Sequence, residues 1–586
     1  MNATADGCAV FRFGVFEIDV RNRELRKRGL RLKLEAKPLQ ILELMLERPG
    51  EIITRKQIQQ KLWRDTFVTF DYSLNTAMNK LRLALGDSAK NPRFIETVAR
   101  RGYRFIASVG TPAAAAASSS ASVALAAVAS IAVLPFQNSS GHPEMEYLSD
   151  GLSEAVIRRV SQIPGVRVIA WSTVLRYKGR ALDPQAAARE LRVQSVLVGN
   201  AVPGEDGLNM SAELVDAETG WRLWGEEYKC RRDEIQSLSE EIARHIAAKA
   251  QPRVVLQAGK RGREHHTQNS EAYADYLKGR YHWHKLCGES LRRSVSHFEL
   301  AIEKDPNFAL AHSALADAYV LFAFVALLPP HKALQKAQAA ALRALEIDDE
   351  LAEAHASCAS TTKLYDWDWP KAEREYRRCL ELDPNNAIAR RGYGGYLSAL
   401  GRTEDALAEV YKAQELDPIS LQIGVEVAWN LYMAREYEKA VQQAMRTIDM
   451  EPEFAATGHV LGLALEQLGK YDEAVGHFKK TAERSEAHQS AMASLAHAYA
   501  RWGRTKDAEA ILDELTVESN KRYVAPYLFS VIHAGLGENE KAVAWLEKAF
   551  KTHDVWMIWV NRDPRFDLLR TEPRFRGLLR RMNFSA

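Results

Sequence analysis

Glu96-Thr97-Val98-Ala99-Arg100-Arg101-Gly102-Tyr103-Arg104-Phe105 reads as a β-hairpin whose turn presents two arginines. Just upstream, Tyr72 to Leu85 carries Leu74, Met78, Leu81 and Leu85 at helical spacing, which predicts a helix with one apolar stripe. Its other face carries Asn75, Thr76, Asn79, Lys80 and Arg82. Amides and hydroxyls bond base edges, while Lys and Arg bond base edges or phosphates, so this helix and its basic turn suit a DNA groove. Taken alone, the same face equally fits a solvated amphipathic helix.

Two more helices are expected before it, at Pro38 to Leu46 and Arg55 to Trp63, and Thr54-Arg55-Lys56-Gln57 fits a capping box. Strand-like runs surround them at Phe11 to Val20, Leu30 to Leu34, Phe94 to Val98 and Tyr103 to Ala107. With the Pro49-Gly50 turn, Leu62-Trp63, Leu81-Arg82 and Gly102-Tyr103-Arg104-Phe105, this order resembles the winged-helix DNA-binding domain of OmpR/PhoB-type response regulators and the related CadC/ToxR-like transcription regulators, over residues 10–108. The resemblance implies a winged helix-turn-helix that reads the major groove, with its wing on the minor groove or backbone. The DNA-binding set it implies is Tyr72, Ser73, Asn75, Thr76, Asn79, Lys80, Arg82, Arg100, Arg101 and Tyr103. Asn75, Thr76 and Asn79 are the base-reading candidates, and Lys80, Arg82, Arg100 and Arg101 take phosphate or mixed roles. Asn79-Lys80 stands where better-known members often carry two arginines.

Charge agrees. Residues 10–109 hold 21 Lys and Arg against 11 Asp and Glu, a net of +10 in a chain that totals only +3, and everything after residue 109 carries −6. Such a local excess is what phosphate neutralisation with counterion release requires, and it predicts steeply salt-dependent binding.

The 586 residues, 46% of them hydrophobic, suffice for three or four domains. Five scattered cysteines form no CxxC pair, which fits a reducing compartment, and residues 1–10 show no secretory signal pattern. A cytoplasmic location is expected. Residues 105–143 contain no Asp, Glu, Lys or Arg, but the portion from Ala113 to Ser130 is mainly Ala and Ser and lacks the apolar density of a membrane span. It reads as a linker over 109–129, with a membrane-anchored one-component sensor as the alternative.

From Ile131 onward strand-like and helical runs alternate: Ile131 to Phe136, Ser149 to Gln162, Val166 to Ala170, Pro184 to Leu191, Ser195 to Val202, Asn209 to Val215, Trp221 to Lys229 and Ile235 to Ala250. This predicts a central α/β domain with a parallel component. The words IAVLPFQN, SDGLSEAVI, LVGNAV and LVDAETGWRLWGEEY resemble the TolB-N/FlgO-like domain over 130–250, a resemblance that implies no catalytic residues. Ser149-Asp150-Gly151 reads as a helix N-cap.

After a linker at 251–270, Ala372, Ala406, Ala440, Ala474, Ala508 and Ala542 recur every 34 residues. Five residues before the last five lie Gly401, Arg435, Gly469, Gly503 and Gly537, and Asp383-Pro384, Asp417-Pro418 and Glu451-Pro452 keep the same interval. This pattern resembles the tetratricopeptide repeat, roughly eight units over 271–552 forming an α-solenoid with a concave surface. Residues 553–586, with Asp563-Pro564-Arg565-Phe566 and Glu572-Pro573-Arg574-Phe575, resemble a terminal cap expected to seal the last apolar face. Trp367 and Trp369 read as packing residues, and His282, His284 and Cys287 as helix positions rather than metal ligands.

Walker A, HExxH, GxSxG and strand-linked GxGxxG motifs are absent from the sequence. No enzyme activity, cofactor or metal is expected. The fold class is therefore multidomain α+β and α: an N-terminal winged helix-turn-helix, a central α/β domain and a C-terminal repeat solenoid. The function expected is sequence-specific regulation of transcription on double-stranded DNA, with the α/β and repeat modules receiving a signal or a protein or peptide partner in the groove. RNA polymerase is a candidate partner, and a dimer on DNA a candidate assembly. Only about ten residues precede the winged helix, so control is expected from a ligand, a partner or assembly rather than a receiver domain. The competing class is a repeat scaffold tethered to DNA.

Overall fold

The computed structural model describes residues 10–13, 16–19, 24–27, 30–32, 34–47, 50–63, 70–85, 87, 92, 94–98, 101–107, 129–139, 145–163, 165–180, 183–203, 207–231, 234–250, 267–285, 288–452, 454–484 and 488–584. The chain forms two compact units, Met1–Ala126 and Ala127–Ala586. The expected linkers at 109–129 and 251–270 lie almost wholly outside the described residues.

The first unit opens with an antiparallel meander of β1 Val10–Phe13, β2 Phe16–Asp19, β3 Glu24–Lys27 and β4 Leu30–Leu32. The run from Phe11 to Val20 is thus not one strand but a hairpin that pairs Phe13 with Phe16. Glu24–Lys27, which sequence patterning missed, is the third strand. Leu25 is its only apolar residue, and it is buried opposite Ile18 across the ladder. Then come α1 Ala36–Glu47, β5 Ile52–Thr54, α2 Arg55–Leu62, α3 Phe70–Leu85, β6 Ile95–Val98 and β7 Gly102–Phe105. β7 sits between β5 and β6 in a three-stranded sheet. Thr54 caps α2 in a full capping box with Gln57. The α3 stripe of Leu74, Met78, Leu81 and Leu85 enters a core with Ile41, Leu42, Ile53 and Phe105.

The second unit begins with a mixed sheet of order β10-β8-β11-β12-β13. Its strands are β8 Ala129–Val133, β9 Gln137–Asn138, β10 Val166–Val168, β11 Ser195–Pro203, β12 Gly207–Asp216 and β13 Arg222–Arg231, with β9 pairing β11 off the main path. β8 runs parallel to β10 and β11, whereas β11, β12 and β13 are antiparallel. The helices α4 Glu146–Ser161, α5 Trp171–Val174, α6 Pro184–Leu191 and α7 Ile235–Ala250 complete the domain. Because α4 starts at Glu146, Ser149 and Asp150 lie inside the helix rather than at its cap, and Asp150 pairs with Lys178.

Sixteen helices follow as eight pairs among the described residues. The first helices are α8 Ser270–Trp283, α10 Ala309–Phe324, α12 Ala352–Thr361, α14 Ala387–Ala399, α16 Leu421–Met433, α18 Ala455–Gln467, α20 His488–Arg501 and α22 Pro526–Gly535. A second helix follows each, from α9 Gly288–Lys304 to α23 Asn539–Lys551. The alanines at 34-residue intervals are all buried, each the fourth residue of a second helix, where a larger side chain would push the pair apart. The α/β domain docks on the first repeat helix and on turns between later repeats. Thr173 donates to Asp417 Oδ2 at 2.6 Å, Asn385 Nδ2 donates to the Val166 carbonyl at 3.0 Å, and Arg280 pairs with Glu154.

The C-terminal segment departs from expectation. Its two 3-10 turns, Val555–Trp559 and Pro564–Leu569, and α24 Pro573–Arg581 do not merely seal the last pair. They reach back to Trp369, Trp429 and Arg435, more than a hundred residues earlier.

Candidate nucleic-acid interface

With its apolar stripe in the core, α3 leaves Asn75, Asn79 and Lys80 exposed and Ser73 and Thr76 half-buried. The side chain of Tyr72, and Arg100 altogether, lie outside the described residues. Asp87 joins the end of α3 to the wing, since its Oδ2 accepts from the Ile95 N–H at 2.8 Å and its own N–H donates to the Arg82 carbonyl at 2.9 Å.

Asn75 is held by a small polar network. Its Oδ1 accepts from Arg55 Nη2 at 3.3 Å and from Tyr103 Oη at 3.4 Å, while Arg55 Nη2 also donates to Tyr103 Oη at 3.2 Å. Both neighbours are donors, so the amide oxygen faces inward and the amide N–H groups remain for outside acceptors. Arg55 was not singled out from the sequence. Its one signal was position: a cation as the first residue of α2, where the helix dipole disfavours positive charge, has to be stabilised by something else.

Two predicted contact residues are corrected. Arg82 is only 8% exposed, and its Nη2 donates to the Ile95 carbonyl at 3.1 Å and to Thr97 Oγ1 at 2.7 Å. It lies one residue after Leu81, at the rim of the apolar stripe, and its long side chain turns inward to tie α3 to the wing. Tyr103 is 3% exposed, with its ring in the core and its hydroxyl in the Asn75 network. Lys80 remains on the surface but pairs with Glu35.

The hairpin turn presents Arg101, which is exposed, with its N–H bonded to the Val98 carbonyl at 3.0 Å. Arg104 pairs with Glu96 across the two strands. Gly102 is required by close approach: a Cβ there would lie 2.1 Å from the Ile53 carbonyl oxygen of β5.

Elsewhere, His282 stacks on His297 at 5.7 Å, and His284 sits against Glu154. Cys287 lies outside the described residues. Glu226, Glu241 and His245 bring ligand atoms within 4.8 Å of one another, but His245 is already engaged by the Tyr228 hydroxyl at 3.3 Å and packed on Trp224. Among the described residues no helix is long and apolar enough to cross a membrane.

Three segments match known families: residues 29–105 "Transcriptional regulatory protein, C terminal", residues 127–245 "HilA/YgeH-like transcriptional regulator, second domain", and residues 465–525 "Tetratricopeptide repeat". The chain is 22% identical to the transcriptional regulator HilA of Salmonella typhimurium over 574 residues, 96% of this chain and 98% of that protein. It is 34% identical over 192 residues to a Rhizobium meliloti protein named "Putative adenylate cyclase 3", a match spanning 32% of each chain. The cholera toxin transcriptional activator of Vibrio cholerae is 40% identical over 81 residues, 14% of this chain and 28% of that one. The chain thus joins an OmpR/PhoB-type DNA-binding domain, a HilA-like second domain and tetratricopeptide repeats.

Proposed function

We propose that this protein regulates transcription by binding double-stranded DNA sequence-specifically, with α3 in the major groove and the Arg101 turn on the adjacent minor groove or backbone. The observation that carries this reading is the outward set of Asn75, Asn79 and Lys80 on the helix leading into a basic hairpin, within a segment of net charge +10. Arg82 and Tyr103 act behind that surface by fixing the wing and the Asn75 amide. Since only the N–H groups of that amide are unengaged, Asn75 suits acceptors such as guanine N7 and O6, thymine O4 or a phosphate. The adenine N6/N7 pair would require its oxygen as well. The second unit supplies the input, a signal or protein partner, with RNA polymerase a candidate partner and a dimer on DNA a candidate assembly.

The test is a salt titration of the full chain against random and selected duplexes. Each lost phosphate contact lowers the slope of log K against log[salt] by about 0.9, so the Lys80→Ala/Arg101→Ala variant should bind all sequences more weakly and with a shallower slope. Unchanged affinity in that variant removes the proposed interface.

A further inference from the structure

The first helices of successive pairs pack on one another along the array, which makes theirs the concave face. The chain's own C-terminal segment lies along it. Trp559 packs on Trp429 with ring centroids 5.4 Å apart and against Gly395. Asp563 accepts from the Tyr527 hydroxyl at 2.8 Å and the Tyr432 hydroxyl at 3.5 Å and pairs with Arg565 at 2.6 Å. Arg565 Nη1 in turn donates to Ser494 Oγ at 3.1 Å, and Ser494 Oγ also meets His459 Nε2 at 3.0 Å. Side chains from α16, α18, α20 and α22 thus converge on one buried Asp–Arg pair. Further along, Trp369 Nε1 donates to the Met582 carbonyl at 2.8 Å.

The turns inside the helix pairs give a second, independent observation. Positions 367, 401, 435, 469, 503 and 537, 34 residues apart, all adopt left-handed backbone, with φ of 50, 80, 68, 75, 83 and 77°. Only glycine enters that region without steric cost. Four of the six are glycine; Trp367 and Arg435 are not, and both hold the segment. The Trp367 ring stacks on His553 at 5.0 Å, and its carbonyl accepts from Asn583 Nδ2 at 3.2 Å. Arg435 donates to the Arg562 carbonyl at 2.7 Å and to Asp567 Oδ1 at 2.8 Å. Gly401, between them, is covered by Arg562, whereas nothing comes within 4 Å of a Cβ built at Gly469, Gly503 or Gly537. Of these six positions, the two without glycine are both at turns that the segment touches.

A buried charge pair set among tyrosine and serine hydroxyls costs desolvation that apolar packing would not, so it is a poor device for simply sealing an apolar face. We propose that the concave face of the repeat array is a peptide-binding groove already held in cis by residues 553–584, so that a protein partner gains it only by displacing this segment. The ligand class is fixed by the segment itself: an aromatic residue four positions before Asp-Pro-Arg-Phe, as in Trp559 to Phe566. The second copy of that pattern, Glu572 to Phe575, is not read in the same way, because Arg574 is exposed and pairs with Glu547 at the rim. This goes beyond the DNA-binding reading and does not depend on it.

The test uses the full chain with a specific protease site inserted after Thr552, and a fluorescein-labelled synthetic peptide of residues 553–586. The labelled peptide should not bind the intact chain. After cleavage it should exchange into the groove while the helical circular dichroism is retained, and unlabelled peptide carrying Asp563→Asn and Arg565→Gln should compete at least tenfold more weakly than wild type. Intact Arg435→Gly chain should show at least tenfold faster amide exchange in 553–584 with the repeats still protected. Equal binding to the intact and cleaved chains, a cleaved segment that never exchanges, loss of the repeat helices as it leaves, or unaltered exchange in Arg435→Gly would each overturn the proposal. None of these readouts involves DNA, so their failure leaves the interface on α3 untouched.

Discussion

Replacing Arg82 by methionine separates an arginine that builds the wing from one that faces DNA. Methionine keeps much of the aliphatic stem but loses two hydrogen bonds from a nearly buried guanidinium, at 3.1 and 2.7 Å. Hydrogen bonds to charged groups contribute about 1.5–3 kcal/mol each, and the desolvation of the lost charge is recovered in part. A net loss of about 2–3 kcal/mol in the local stability of residues 70–105 follows, read as faster native-state amide exchange in α3 and β6. The salt slope of DNA binding should stay at the wild-type value, because no phosphate contact has gone. Arg101→Ala should do the reverse, leaving exchange unaltered while lowering the slope by about 0.9. If Arg82→Met left exchange unchanged and reduced the slope, the inward placement of Arg82 would be wrong and its assignment as a structural residue with it.

Asn75→Ala should cost about 1–3 kcal/mol on the preferred duplex and relax specificity at a single base position, as selection of bound sequences from a random pool would show; a uniform loss across all duplexes would make Asn75 a phosphate contact instead. In the second unit, burial pushes the Asp383 carboxyl up to about 7, with nearby Glu353 adding to the rise. A carboxyl raised in the folded state contributes stability that is present below about pH 4 and is lost as pH climbs through 7. Asp383→Asn should therefore raise stability at pH 8 by on the order of 2 kcal/mol and change little at about pH 4, and equal gains in melting temperature at both pH values would sink this account.

Much of the architecture was legible in short-range pattern. The α3 stripe, the capping box at Thr54 and the 34-residue alanine interval are local signals, and each corresponds to a buried or bonded position. The site was less legible, because the same residue type serves opposite ends at neighbouring positions. Arg82 and Lys80 both belong to the cationic face on paper, yet one is bonded inside to Thr97 and the other lies outside beside Glu35. Helical spacing places Arg82 at the rim of the stripe, and only the position of the wing decides which way a long side chain turns from there. Leu25 shows the same limit in a strand, since one apolar residue among charges gives no alternation to read until Ile18 is opposite it.

The C-terminal segment marks the deeper limit. Its aromatic residues would look alike whether they sealed the last helix pair or lay along the groove, because repeat periodicity reports contacts between sequence neighbours and is silent about contacts across a superhelical turn. The departures from glycine at 367 and 435 are where the long-range contact shows in the sequence. A left-handed L-residue costs roughly 1–2 kcal/mol, and the partly exposed Arg435–Asp567 pair returns about 0–1 kcal/mol. The charged hydrogen bond to the Arg562 carbonyl adds about 1.5–3 kcal/mol. The returns exceed the cost by only about 1 kcal/mol at mid-range, so Arg435 adds modestly to overall stability. Its effect is to move stability out of the turn and into the seating of the segment. Glycine at 435 would remove the strain and the contact together at a small net loss, so the arginine serves the seating of the segment more than overall stability, as a contact that has to be displaced requires.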